Sequence, residues 1–359
     1  MKDSNVLISI IVPVFNMEDY IERCLHSLLN QTLKEIEIIV VNDGSTDKTL
    51  ELLEEYAKND SRIKIFSQSN CGVSLARKKG VKESQGEYTC FVDGDDWCEM
   101  SMCEDLYNTA NQTKSDMIFF SAYRHREDGT AIIRNFPVDD GKYEIKEIYN
   151  DYILPLYGDL HTDKYITTGY ACFCMFRSNL IKDMKFYEKI NLHEDEIAIL
   201  QGLHSANYLY VISNPYYHYD RTDRNTLSKG TRYWNGYWDN MIEVFYAKQE
   251  IAKTLFESKD KYMYRLITYM YAHFLRSIRN ETHYLNPGRL MGGYKNLCHN
   301  LDKKILFENK QYILKEEFTY IERLLIKLIQ MNIYFVPYLY YLIKSNFVVY
   351  IKALHVDIS

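Results

Sequence analysis

The sequence predicts an α/β protein built on a mostly parallel, doubly wound sheet, followed by a helical carboxyl-terminal region. Three observations carry this. Over residues 7–121, β-branched apolar runs alternate with helical patterns, the order expected when crossover helices join the strands. Those runs are continuously apolar, as in strands buried on both faces. After Thr231 strand signals fade and long helical patterns take over.

The first strand, Leu7 to Phe15, passes into a helix from Glu18 to Leu29 whose Ile21, Leu25, Leu28 and Leu29 share a face. Ile36 to Val41 leads to a helix through Leu50, Leu52, Leu53 and Tyr56. Ile63 to Phe66 precedes a helix over 73–82, Tyr88 to Val92 ends at an acidic run, and Met117 to Ser121 follows a further helix. From 165 to 220 the pattern is mixed: YACFCMF reads as a strand, IKDMKFYEKINLHEDEIAIL as a loop then a helix, and YLYVISNPYYHY as strand and turn. NMIEVFYAKQEIAKTLF and RLITYMYAHFLRSIR read as long helices. The polar stretch RTDRNTLSKGTR, 221–232, sets the expected boundary between a domain over 1–225 and a helical region over 226–359. Met331 to Ile351 is uncharged apart from Lys344, yet Pro337 interrupts it and Asn332, Ser345 and Asn346 dilute it. An interfacial helix pair or a helix docked on a partner fits it better than a membrane span, with a helical core segment as an equal reading.

The 359 residues suffice for two units, and a formal net charge of −6 gives no electrostatic reason for wholesale nucleic-acid binding. Eight cysteines without a CxxC pair signal neither a zinc ribbon nor a disulfide framework, and read as reduced cytosolic thiols. The start, MKDSNVLISIIVPVF, has one Lys and no small-residue cleavage site, so it reads as a first strand and places the protein inside the cell.

The chemistry concentrates at strand ends. FVDGDDW sets Asp93, Asp95 and Asp96 behind an apolar run, which suits a hard divalent cation with oxygen ligands and equally a solvated acidic turn. A calcium loop counted from Asp93 would need Gly where Cys98 stands, so that reading fails. VVNDGSTDKT places Asp43 at a strand-to-helix turn, where it serves the turn or accepts from the imide N–H of a uracil. SNCGVSLARKKGV offers backbone N–H groups at a helix start and Arg77 one turn on, both able to meet phosphate, while Lys78 and Lys79 read as a solvated face. HEDEIAIL is a helix start with an acidic first turn, favourable against the helix dipole without any catalysis. His218, in YYHYDR, fits a hydrogen-bonded structural role and a place beside a metal equally well.

In order, ISIIVPVFNMEDYIERCLHSLLNQTLKEIEIIVVNDGSTDKT, SNCGVSLARKKGV, DGDD and HEDEIAIL resemble the family 2 glycosyltransferases, inverting enzymes with the GT-A nucleotide-sugar-binding fold. The resemblance covers roughly residues 7 to 220. It implies that Pro13, Val14 and Asn16 line the nucleotide, Asp43 contacts uracil, Asp93 lies near the ribose and Arg77 faces the phosphates. It further implies that Asp95 and His218 attend a Mn²⁺ or Mg²⁺ ion, that Glu194 belongs to the nucleotide-sugar site, and that Asp195 is the catalytic base. Lys78 stands where Asn usually follows the Arg, and Gly94 where Ser is frequent, which leaves the phosphate geometry open. The implied activity transfers a hexose or N-acetylhexosamine from a UDP-sugar to a glycan or lipid-linked glycan acceptor in capsule, exopolysaccharide or other surface-glycan synthesis. The helical region would touch a membrane or partner. Two other readings compete. A sugar-phosphate nucleotidyltransferase would carry a Gly-rich loop where PVFNMEDY stands, and a degenerate scaffold that binds a partner glycosyltransferase would have lost acids that are present here. Sugar choice falls to loops between Tyr123 and Ile166, where spacing is uninformative.

Overall fold

The computed structural model describes residues 6–126, 128–134, 138–158, 170–220, 233–256, 258–283 and 285–344. The chain divides into two compact units, Met1–Leu156 with His161–Arg224, and Tyr157–Leu160 with Asn225–Ser359. The expected boundary at 221–232, and residues 127, 135–137 and 159–166 of the segment expected to set sugar choice, lie outside the described residues.

The first unit is built on a ten-stranded sheet: β1 (Ile8–Val14), β2 (Ile36–Asn42), β3 (Ile63–Ser67), β4 (Tyr88–Phe91), β5 (Trp97–Cys98), β6 (Met117–His125), β7 (Ala131–Arg134), β8 (Gly141–Glu144), β9 (Cys174–Arg177) and β10 (Tyr208–Asp220). Its main path runs β3-β2-β1-β4-β9-β6-β10-β5, with β7 beside β6 and β8 beside β10. Strands β3, β2, β1 and β4 are mutually parallel. Every residue of β1 and β2 is buried, which is why these strands read as apolar runs broken only by Ser9 in β1 and by Glu37 and Asn42 in β2. The crossover helices are α1 (Ile21–Leu29), α2 (Thr49–Asn59) and α3 (Val73–Glu83). Helix α1 buries Ile21, Cys24, Leu25 and Leu28, and α3 crosses β1 so closely that a Cβ on Gly80 would lie 2.3 Å from the Ile11 side chain.

Two features were not foreseen. YACFCMF yields only a short antiparallel strand, β9, wedged between β4 and β6. β10 is one 13-residue strand whose register shifts around Pro215, and the bulge carries Tyr217, His218 and Asp220 onward beside β5. The remaining helices of this unit are α4 (Met102–Thr113), α5 (Ser178–Lys182) and α6 (Glu194–Ser205).

The second unit contains α7 (Tyr237–Leu255), α8 (Lys259–Glu281), α9 (Arg289–Lys295), α10 (Lys304–Glu308) and α11 (Tyr320–Gln330), then a helical stretch over 335–344. Helices α7 and α8 pack through buried Trp238 against Phe274, ring centroids 4.9 Å apart. Thr319 and Glu322 form a capping box at the start of α11, satisfying two otherwise unpaired N–H groups. Among the described residues no helix is long and apolar enough to cross a membrane.

Candidate active site

The acidic run at the end of β4 sorts into three environments. Asp96 is fully buried: Tyr217 Oη donates to its Oδ2 at 2.7 Å and the Asp220 N–H to its Oδ1 at 2.8 Å. It pins the turn to the bulged end of β10, and burial beside Asp95 pushes its pKa up. Asp93 turns the other way, receiving Arg77 Nη2 at 3.0 Å. Asp95 is left over. Apart from its own backbone N–H, no donor reaches its carboxylate among the described residues, and burial with Asp93 and Asp220 nearby raises its pKa to about 6.

Arg77, on the first turns of α3, is 5% exposed and meets three carboxylates. Besides Asp93, it donates through Nη1 to Asp195 and, at 3.4 Å, to Glu194. The sequence reading gave Arg77 to the nucleotide phosphates; here its two Nη groups are already engaged by protein acids. Burial works against its charge, but Asp195, Asp93 and Glu194 override that and raise its pKa. A cavity of about 20 Å³, lined by Ser74, Arg77, Phe91, Glu194 and Ile197 among others, has room for one water beside the buried, unpartnered Arg77 Nε.

Glu194 and Asp195 open α6 behind His193, which adopts a left-handed conformation (φ 68°) and contacts Glu196 Oε1 at 2.8 Å. Each of the two acids keeps 18% of its side chain exposed. Burial raises Glu194 to about 8, with Asp195 adding to it, and raises Asp195 to about 6 against the pull of Arg77. Arg77 thus pulls the Asp195 pKa down while Asp195 pushes that of Glu194 up, so the guanidinium and the pair's mutual repulsion act on the two acids together.

A second arginine flanks the acid loop. Arg23 of α1 donates through Nη2 to the Asp95 carbonyl and to Asp220 Oδ2, both at 2.7 Å, and lies 4.0 Å over the Trp97 ring. Its Nε and Nη1 have no protein partner among the described residues, and the side chain is 41% exposed. Beneath Trp97 is a stack of rings. His218 lies parallel to Trp97 and Tyr123, its Nδ1 3.0 Å from His125 Nε2 and its Nε2 2.8 Å from Glu99 Oε1. Both ring nitrogens of His218 therefore contact protein groups, as the hydrogen-bonded structural role expected beside the metal role would have it. His125 has its pKa lowered by burial and by His218.

On the nucleotide side, Asp43 is buried and accepts from Gln68 Nε2 (2.8 Å), Cys71 N (3.0 Å) and Gly72 N (2.8 Å). It ties the loop before α3 to the end of β2; Gly44, at φ 77°, allows that approach, since a Cβ there would lie 2.8 Å from Asn70 N. Pro13 and Val14 are buried at the end of β1, so of the three residues expected to line the nucleotide Asn16 alone is exposed. The exposed residues of that loop are Phe15 and Asn16. Asn16 is left-handed (φ 54°), with its Oδ1 accepting from Thr46 N at 2.8 Å and its N–H donating to Ser45 Oγ at 3.0 Å. Sequence reading missed Phe15, Arg23, Glu99 and His125. Phe15 was open to it as an aromatic at a strand end, whereas Arg23 sits unmarked in an amphipathic helix.

Among the described residues no three His, Cys, Asp or Glu side chains form a ready cluster for a metal. The donor chemistry at Asp95 nonetheless fits a hard cation, being an oxygen-only carboxylate that other acids surround and no side-chain donor satisfies.

An uncharacterized glycosyltransferase of Bacillus subtilis, EpsJ, is 47% identical over 122 residues, 34% of this chain and 36% of that protein. The cholesterol galactosyltransferase of Borreliella burgdorferi is 32% identical over 216 residues, 58% of this chain and 59% of that protein. This chain thus spans about a third of the length of the first relative and under two thirds of the second. The crystal structure of S. aureus TarS 1-349 in complex with UDP-GlcNAc superposes with a TM-score of 0.66 at 20% identity, covering 94% of this chain and 90% of that one, and shows the shared GT-A fold. Residues 9–184, from β1 through the acid loop and past β9, match the family model for glycosyl transferase family 2, the family to which this region of the chain belongs.

Proposed function

We propose that this chain is an inverting, metal-dependent glycosyltransferase that moves a hexose or N-acetylhexosamine from a UDP-sugar to the hydroxyl of a glycan or lipid-linked glycan acceptor in surface-glycan synthesis. The observation that carries this reading is the meeting of Asp93 and Asp195 on one buried guanidinium, beside an unsatisfied Asp95, in a chain with a family 2 region. UDP-GlcNAc in the TarS complex and the name of the galactosyltransferase relative support a UDP-sugar donor carrying one of these sugar types. In this reading the catalytic domain spans 1–225, the helical region spans 226–359, and the enzyme works at the inner face of the membrane.

In the mechanism, the Asp43 carboxylate meets the uracil edge through lone-pair capacity its three loop donors leave, and Phe15 offers a ring face to the base. Asp93 approaches the ribose and Glu194 the donor sugar. A Mn²⁺ or Mg²⁺ ion held by Asp95 would neutralise charge developing on the departing diphosphate. Arg23, with Nε and Nη1 unspent, takes the phosphate-facing role that Arg77 cannot. Asp195 removes the proton of the acceptor hydroxyl as its oxygen attacks the anomeric carbon, and the sugar–phosphate bond breaks on the opposite side, inverting the configuration. Arg77 keeps Asp195 ionised and aimed for that step.

The test is UDP release from UDP-Glc, UDP-Gal, UDP-GlcNAc and UDP-GalNAc, with Mn²⁺ or Mg²⁺ and then EDTA, in wild type, Asp95→Ala and Asp195→Asn. Turnover of one donor, lost with EDTA and in both variants, is the expected result. Absence of both turnover and metal-assisted UDP binding would sink the proposal.

A further inference from the structure

The second unit carries a surface that transfer chemistry does not use. Helix α11 has three sectors. Leu325, Ile326 and Ile329 are buried; Tyr320, Ile321, Leu324 and Met331 form an exposed apolar strip; Arg323 stands exposed along the flank of that strip and Lys327 within it. The helical stretch 335–344 repeats the pattern, burying Tyr338 and Tyr341 while exposing Phe335, Val336, Leu339 and Ile343 at the i, i+1, i+4, i+8 spacing of one face. Tyr320 is 82% exposed and Ile343 60%; Lys327 stands on the α11 strip between Leu324 and Met331, and no charged residue interrupts the strip of 335–344.

A soluble surface does not normally carry two consecutive helices whose outer faces are this rich in exposed large apolar side chains. The cations indicate what covers them. Among the described residues neither Arg323 nor Lys327 has a carboxylate partner: Arg323 Nε donates to the Phe318 carbonyl at 2.8 Å and Lys327 reaches solvent. Aromatic and aliphatic side chains that enter the acyl boundary, with basic groups left at headgroup level, are the composition of an interfacial helix. The unpaired positive charge beside the strip selects an anionic surface.

We infer that α11 and the stretch 335–344 form a monotopic docking surface for an anionic lipid bilayer. This inference stands independently of the transfer reaction and deepens only the placement of the protein at a membrane.

The experiment is vesicle flotation of the full chain with phosphatidylcholine alone and with about one third phosphatidylglycerol, each at low and high salt. Wild type should float with the anionic vesicles and far less with the neutral ones. Leu324→Ser combined with Phe335→Ser and Leu339→Ser, all on exposed positions, should reduce the partition coefficient by at least about tenfold, and Arg323→Glu with Lys327→Glu should reduce it by about tenfold at low salt with little effect at high salt. Unchanged circular-dichroism melting verifies that the variants fold, and UDP binding checks the first unit separately. Flotation equal in all variants, or in neutral and anionic vesicles, overturns the inference. So does a concentration-dependent dimer in light scattering that the apolar variant abolishes, because the face is then a seam between copies.

Discussion

Two arginines border the same acid loop and are placed in opposite ways. Arg77 is 5% exposed and surrounded by Asp93, Glu194 and Asp195; Arg23 is 41% exposed, with one carboxylate, one carbonyl and an indole face. A buried cation among acids is bound to its partners, because removing either side leaves an uncompensated charge out of water. An exposed cation with unspent donors can exchange partners at small cost. The lesson is that the more conspicuous arginine in the sequence gathers Asp93, Glu194 and Asp195, and the less conspicuous one keeps donors unspent.

The largest effect should come from the acid that Arg77 holds. Asp195→Asn removes the proton acceptor and leaves shape and burial intact, so kcat for sugar transfer should fall by about 10²–10⁴-fold with donor KM little changed. Steady-state kinetics with the donor found by the UDP-release screen measures this. A kcat within a few-fold of wild type would remove Asp195 from the chemistry and leave the ED pair as helix-start charge.

Arg77 itself comes next, and its loss should register in stability and in pH dependence. Arg77→Ala leaves three partly buried acids without their cation and should cost about 2–4 kcal/mol in urea unfolding, while Arg77→Lys, keeping charge without the forked geometry, should recover part of that. The Lys variant, which stays folded, gives the sharper readout. Arg77 lowers the Asp195 pKa, so weakening it must raise that pKa and move the acid limb of kcat from about 6 to higher pH. An unmoved acid limb would mean that Arg77 is purely structural.

A third effect is smaller and has a definite sign. Burial raises Asp95 and Asp195 to about 6 and Glu194 to about 8, above their unfolded values. Between those limits the folded protein binds more protons than the unfolded chain, so this cluster's contribution to stability is full at low pH and is lost as pH rises through about 6 to 8. The ligand-free protein should therefore show a Tm that falls from pH 5 to pH 8. Asp195→Asn, which keeps no titrating group at that position, should flatten the fall; a Tm that rises over this range would contradict the clustering of acids.

Much of this was legible in the sequence for physical reasons. Strands β1 and β2 are buried on both faces, so their apolar runs could hardly be anything else, and the acids at the ends of β4 and the start of α6 stand out because charge there must have a reason. What escaped was long-range. The bulge at Pro215 brings Tyr217 and Asp220 to Asp96 from more than a hundred residues away, and nothing local in YYHYD announces it. The pairing of His218 with His125 and Glu99 depends on strand register between β6, β10 and β5, which no single segment of the sequence displays. Arg77 was given to phosphate because a cation near a helix start is attractive to anions, and the acids of α6 that claim it lie 117 and 118 residues further along.

The smallest predicted effect separates the two arginines most clearly. Arg23→Ala removes an exposed ion pair with Asp220 and a cation–π contact with Trp97, which together are worth about 0.5–2 kcal/mol of stability, less than the cost expected at Arg77. Because its Nε and Nη1 are unspent, the same change should act mainly on ligand: UDP affinity should weaken by about tenfold, the size of one charge-assisted hydrogen bond to phosphate, while the pH profile of kcat stays in place. Calorimetric titration of UDP into wild type and Arg23→Ala, beside kcat measured across pH, provides both quantities. Unchanged UDP affinity would return the phosphate-facing role to some other group, and a displaced acid limb would show that Arg23 also acts on Asp195. An Arg23 variant weak in UDP binding but normal in pH profile, set against an Arg77→Lys variant with the reverse pattern, would establish that donor recognition and base activation rest on different cations flanking one acidic loop.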